Sequence, residues 1–262
     1  MPSIRLLFLF PLLSLVVLPC ARAEEAAPAT TLLGAGVWSR PAYDGSDSGQ
    51  TLAPIPLIRH YGRPWFARTT YGLLEGGART ELASGFTVGA QLAYEGGRDD
   101  AESSFLAAHH LPDLPASVSW GVHAELERNI GPMPLIALLR YRQDVDDKRG
   151  TQADLRLTAG LYSGGGLNAG VFFQSTWADA RASQYYYGIA PPLAASSGLA
   201  AFEAQGGPLF NAEGLLWSYD LTPRWLLLGS VEWRQLRGDA LNSPLVLLST
   251  SRYASLGLAY QF

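Results

Sequence analysis

Lysine occurs once in the 262 residues, at Lys148, and cysteine once, at Cys20. Charged residues make up only 16% of the chain, less than a water-soluble surface normally carries. One cysteine excludes an intrachain disulfide, so backbone pairing and burial must hold the fold. No long apolar run follows residue 18, which excludes membrane-spanning helices in the rest of the chain. A basic face is missing too. Without the leader described next, 17 cations stand against 23 carboxylates, a formal charge of −6, and nucleic-acid binding needs the opposite balance.

What is present begins with MPSIRLLFLFPLLSLVVLPCARA. One early cation (Arg5), an apolar run from Leu6 to Leu18 and the triplet Ala21-Arg22-Ala23 have the form of a secretory signal peptide over residues 1–23, cleaved before Glu24. The apolar run is shorter than the roughly 20 residues a spanning helix needs, and Pro19 before Cys20 argues against a lipoprotein. Residues 24–262 then read as a single domain.

Along that domain apolar and polar residues alternate with period two. In SVSWGVHAELER, Val118, Trp120, Val122, Ala124 and Leu126 share one face, while Ser119, Gly121, His123, Glu125 and Glu127 share the other. TQADLRLTAGLY and GFTVGAQLAYE repeat the pattern. Alternation alone fits a sandwich as well as a barrel, so strand length must decide. Several runs reach ten residues or more, against ~5–6 for a usual globular strand and ~9–11 for a tilted membrane-spanning one. Trp225 and Trp233 share a face eight residues apart, about 26 Å at ~3.3 Å per residue, enough to reach both interfaces of a bilayer.

Short turns at 129–132, 163–166 and 221–223 interleave with longer loops at 96–116, 144–150, 178–208 and 237–244. That asymmetry matches an outer-membrane barrel with short periplasmic turns and long outside loops. The expectation is an all-β, antiparallel transmembrane barrel of twelve strands near residues 31–40, 51–60, 64–72, 73–82, 85–95, 117–128, 132–143, 151–162, 166–177, 209–220, 224–236 and 247–262. Ten is the alternative count, because Pro54 and Pro56 interrupt the second strand and Gly76-Gly77 weaken the fourth. The loop at 178–208 is too long and apolar for plain coil and is a candidate cover for the barrel mouth.

The polar faces place Glu75, Arg79, Glu81, Glu95, His123, Glu125, Glu127, Arg140, Arg142, Asp154, Arg156, Glu232 and Arg234 in the lumen. Charges of both signs in a narrow barrel are expected to pair and fill it rather than line a wide pore. No catalytic, cofactor or metal site is expected. Asp99-Asp100 with His109-His110 is unspecific, because adjacent histidines on an extended segment point opposite ways. Asp44 and Asp47 are accounted for by turn chemistry. No G-x-S-x-G elbow occurs, and Ser163-Gly164-Gly165-Gly166 lacks the lysine of a phosphate loop.

Read in order, GVWSRPAYDGSDSG, APIPLIRHYG, EGGRDD, QYYYGIAPPLAASSGLAAF, RGDALNSPLV and the terminal SLGLAYQF resemble the MipA/OmpV family of outer-membrane proteins, from about Gly34 to Phe262. The matching pattern positions are Tyr43, Gly45, Pro56, Arg98, Tyr187, Ser197, Gly198, Ser243, Pro244 and Phe262. Ser255, Gly257, Tyr260 and Phe262 resemble the carboxy-terminal signal by which the barrel assembly machinery recognises its substrates. The resemblance implies a non-enzymatic barrel in the outer-membrane lipid of a Gram-negative bacterium. It further implies a scaffold between a lytic transglycosylase and a penicillin-binding protein; a small-solute channel, or a receptor or adhesin, is the alternative. The last strand should pair with the first near Leu32 to Arg40, since an open edge in lipid leaves costly unpaired backbone groups.

Overall fold

Strict alternation over long runs produces long strands, and twelve of them close into one antiparallel barrel in a computed structural model that describes residues 30–70 and 72–262. The leader assigned to residues 1–23 lies outside the described residues. The strands are β1 (Thr30–Arg40), β2 (Thr51–Tyr61), β3 (Trp65–Thr70), β4 (Leu73–Ala83), β5 (Phe86–Glu95), β6 (Ser117–Ile130), β7 (Met133–Asp144), β8 (Thr151–Gly164), β9 (Leu167–Ala178), β10 (Gly207–Asp220), β11 (Trp225–Leu236) and β12 (Thr250–Gln261). The count of twelve replaces the alternative of ten. Each strand pairs with its sequence neighbours, and β1 closes against β12 from Leu32–Gln261 to Ser39–Ala254.

The outer face is apolar. Leu33, Val37, Val122, Leu139, Leu157, Leu215, Leu256 and Leu258 are all exposed on it, at a cost that only a lipid solvent removes. Trp120, Trp177 and Trp233 lie toward the long-loop end and Trp65, Tyr162, Tyr219 and Trp225 toward the short-turn end, forming the two interfacial girdles. The long loops and the short turns thus lie beyond opposite girdles, the arrangement of an outer-membrane barrel whose short turns are periplasmic.

The β1–β12 seam is closely packed. A Cβ on Gly34 would stand 2.1 Å from the carbonyl oxygen of Leu258, so no side chain fits there. Phe262 extends the seam past β12, its backbone N–H donating to the Thr31 carbonyl at 3.0 Å.

Pro54 and Pro56 do not interrupt β2, contrary to the sequence expectation. β2 pairs with β1 along all eleven residues, while its other edge meets β3 only at Arg59–Arg68, His60–Ala67 and Tyr61–Phe66. A proline nitrogen is tolerated in a strand when it points to an unpaired edge, and the upper part of β2 offers one.

Four short α-helices sit in the outer loops among the described residues: α1 (Ser104–Ala108), α2 (Ala180–Tyr187), α3 (Pro191–Ser197) and α4 (Gly238–Asn242). They make a lid with its own apolar core. Leu106, Leu111, Ile189 and Leu245 are buried together there, with Tyr43, Phe105, Leu193 and Phe202 packed around them. The segment 178–208 thus covers the mouth, and a β-bridge between Ile189 and Phe202 ties its two arms.

Candidate functional site

Inward positions of β3, β4, β6, β7 and β8 bring long charged side chains to one level of the lumen. Arg68 Nε donates to Glu75 Oε2 at 2.9 Å, and Arg68 Nη1 to Glu125 Oε2 at 3.2 Å. Arg140 donates through Nη1 to Glu75 and through Nε to Asp154 Oδ2, the latter at 2.7 Å. Gln91 donates to Glu75, while Gln174 and Thr176 donate to Asp154. Arg156 donates to Gln174 and lies 3.5 Å from the centre of the Phe172 ring. Glu75 is 1% exposed, so this network is a floor inside the barrel rather than the lining of a wide pore.

Above the floor and beneath the lid lies a cavity of about 460 Å³. Trp38, Tyr43, Tyr185, Tyr186, Tyr187, Phe210 and Tyr253 give it aromatic walls, and Arg40, Arg98, Arg149 and Arg234 supply cations. Two of the four cations are neutralised: Arg40 by Glu102 at 2.8 Å, and Arg234 by Asp44 at 2.7 Å and Glu232 at 2.8 Å. Arg98 lies 5.6 Å from the centre of the Tyr43 ring and Arg149 4.9 Å from that of Tyr185. Burial pulls the Arg98 guanidinium below its ordinary value, opposed by the neighbouring tyrosines. Burial pushes the Tyr43 hydroxyl up to about 12, against the pull of Arg98. Tyr187 rises for the same reason.

The structure distributes the sequence-marked residues in a simple way. Tyr43, Pro56, Arg98 and Tyr187 line the cavity. The rest of the set apart from Phe262 builds the lid. Ser243 Oγ donates to the Tyr187 carbonyl at 2.6 Å, and Pro244 follows it into the turn that buries Leu245. The Gly45 carbonyl accepts from Leu247 and Leu248, while Gly198 ends α3 with φ of 71° just after Ser197, whose carbonyl meets His109 Nδ1 at 2.7 Å. His109 is thereby committed to the lid. Ser255, Gly257, Tyr260 and Phe262 lie apart from the cavity, at the seam and the periplasmic girdle. Asp99 and Asp100 approach Asp113, with one carboxylate oxygen of each within 4.8 Å of the others, on the exposed outer loop.

Several participants escaped the sequence reading, among them Arg68 in the floor and Arg40 in the cavity wall. Asp44, assigned to turn chemistry, accepts from Arg234 and from the Tyr253 hydroxyl, both at 2.7 Å. Arg149, read only as part of the long loop 144–150, is 9% exposed and faces the cavity. The aromatic-rich run at 185–187 was the one signal pointing to this region.

The family model described as MltA-interacting protein MipA matches residues 33–262. The chain belongs to that family. A segment of 103 residues is 28% identical to the MltA-interacting protein of Escherichia coli K12, covering 38% of this chain and 40% of that protein, and the Shigella flexneri protein of the same name matches equally. The matched segment therefore spans less than half the length of either relative. Among solved structures, the COG4313 outer membrane channel from Pseudomonas putida F1 superposes with a TM-score of 0.47 and 11% identity, covering 93% of this chain and 100% of that one. An anion-selective porin from Comamonas acidovorans superposes with a TM-score of 0.42 and 9% identity, covering 90% and 99%.

Proposed function

We propose that this MipA-family chain is a non-enzymatic outer-membrane barrel that holds murein-hydrolysing and murein-synthesising enzymes at its periplasmic rim. The observation that carries the reading is the closed floor. With Glu75 and Asp154 locked between Arg68, Arg140 and Arg142, the lumen offers no wide water-filled path, which leaves the two rims as working surfaces. The periplasmic rim is built from tight turns on long strands, so residues there are held in fixed relative positions, as a docking platform requires. The relatives' name, MltA-interacting protein, favours a lytic transglycosylase as one partner, and a penicillin-binding protein as the second follows only from the family resemblance.

The test is in-cell crosslinking from photoreactive residues placed at the exposed positions Asn129, Pro132 and Ser163. Capture of a lytic transglycosylase from these turns, and not from outer-loop positions such as Asp99, is the expected result. Absence of every cell-wall enzyme from the captured set, together with steady ion conductance of the purified barrel in planar bilayers, overturns the reading in favour of a channel.

A further inference from the structure

Among the described residues, the barrel wall is incomplete beside the cavity. β3 ends at Thr70 after three paired positions with β2, so β2 continues upward from Ile58 to Thr51 with one edge unopposed by β3. Pro54 and Pro56 lie in that stretch and have no N–H to leave unpaired. The cavity touches both sides of the sheet here. Inward Ile55 and Tyr253 line it, and so do outward Pro54, Pro56, Leu74 and Tyr94. A one-layer wall exposes both faces to one cavity only where it is interrupted. The opening is at the outer girdle, since Tyr94 pairs with Leu74 and Val118, and Trp120 stands two residues along β6 on the same outer face.

Inside, the charge is unbalanced. Arg98 Nη2 donates only to the Pro112 carbonyl, at 3.4 Å, and no carboxylate lies within ion-pair distance of it among the described residues. Arg149 Nη1 donates to the Pro115 carbonyl at 2.8 Å, and its one carboxylate, Asp146, is 3.9 Å away and half exposed. Among the described residues, the Nε atoms of both arginines are buried without a hydrogen-bond partner, as is Thr69 Oγ1 at the gap. Both guanidiniums are tied to the same short segment, 112–115, and both line the cavity. Buried donors without acceptors are costly, and an anion between them removes that cost.

We infer that the vestibule binds an amphipathic anion. A carboxylate or phosphate head lies between Arg98 and Arg149, and a hydrocarbon chain runs past Ile55 and out between Pro56, Leu74 and Tyr94 into the outer leaflet. The cavity volume is in the range of small-molecule sites, ~300–1,000 Å³. An anionic single-chain amphiphile satisfies both halves of the lining, whereas a wholly polar anion leaves the apolar portal unfilled and a neutral lipid leaves the guanidiniums unpaired.

The test uses the full barrel in phosphatidylcholine nanodiscs with three photoreactive probes carrying a diazirine on the same chain: palmitate, lysophosphatidate and the neutral alcohol. Labelling of the segments around Ile55, Leu74 and Tyr94 by palmitate or lysophosphatidate is expected to exceed that by the alcohol about tenfold, the scale of a charge-assisted contact. Palmitate alone identifies a free carboxylate, and lysophosphatidate alone a lipid headgroup phosphate. Arg98→Gln with Arg149→Gln should abolish the excess; each single variant, expected to lower it in part, serves if the pair does not assemble. Ile55→Trp, which fills the passage and spares the arginines, should also reduce labelling. Equal labelling by the alcohol, or labelling unchanged by the arginine substitutions, overturns the proposal.

Discussion

Arg234 on β11 donates from Nη1 to Oδ2 of Asp44, at 2.7 Å, across 190 residues of sequence. This pair draws the first outer loop down into the barrel mouth, where Tyr253 donates to the other carboxylate oxygen. Asp44→Asn leaves the guanidinium with Glu232 alone. Removing one partner of a buried pair costs about 3–5 kcal/mol, and the slight exposure of this one sets the expectation near 3 kcal/mol. The loss should be local: protease cleavage within 41–50 accelerates while the melting temperature of the strands moves little.

Arg140→Ala is the corresponding test of the floor. It strips Glu75 and Asp154 of their shared cation, both of them buried, and should cost about 3–5 kcal/mol in denaturant unfolding of the detergent-solubilised barrel. The same change removes a side chain from the middle of the lumen. Planar-bilayer recordings should therefore show conductance steps that the parent protein lacks.

Seam closure can be tested from both strands. Gly34→Val places carbon atoms where the Leu258 carbonyl already stands, and the barrel should fail to acquire the heat-modifiable gel mobility of a closed form. Deleting Phe262 removes one backbone bond to Thr31 and the ring packed 4.9 Å from Tyr260. It is expected to lower the assembled fraction in cells before affecting any binding property, and normal assembly without it counts against the carboxy-terminal signal.

The lid carries a pH dependence. Burial holds the Tyr43 hydroxyl as the neutral phenol, with its pKa raised from 10.0 to about 12, and it donates to the Leu245 carbonyl at 2.9 Å. A group whose folded value is raised contributes stability that is complete below its unfolded value and lost as pH rises through the folded one. Protection of the lid from proteolysis should thus fall between pH 10 and pH 12. Tyr43→Phe should weaken that fall and cost about 0.5–1.5 kcal/mol at neutral pH for the missing hydrogen bond.

The barrel was legible because lipid outside and charge inside impose one chemical rule on every strand. Trp225 and Trp233, or His123 against Val122, declare their faces in the sequence alone. β2 misled because a proline is judged by the edge it faces, and that edge exists only through the shortness of β3. The cavity was out of reach for a different reason. Its walls join Tyr43, Arg98, Arg149 and Tyr187 from four separate loops, and its roof needs Leu106, Ile189 and Leu245 to find one another. No periodic pattern encodes such meetings, so only the unusual run of tyrosines hinted at them.

The pairing of β1 with β12 also sets a schedule for biogenesis. Because the first strand's missing neighbour is the last one to leave the ribosome, the sheet cannot seal while synthesis continues. The strands between them can pair with neighbours already made, but the first keeps one flank open until the last arrives, and that edge is the one exposed to wrong partners in the meantime.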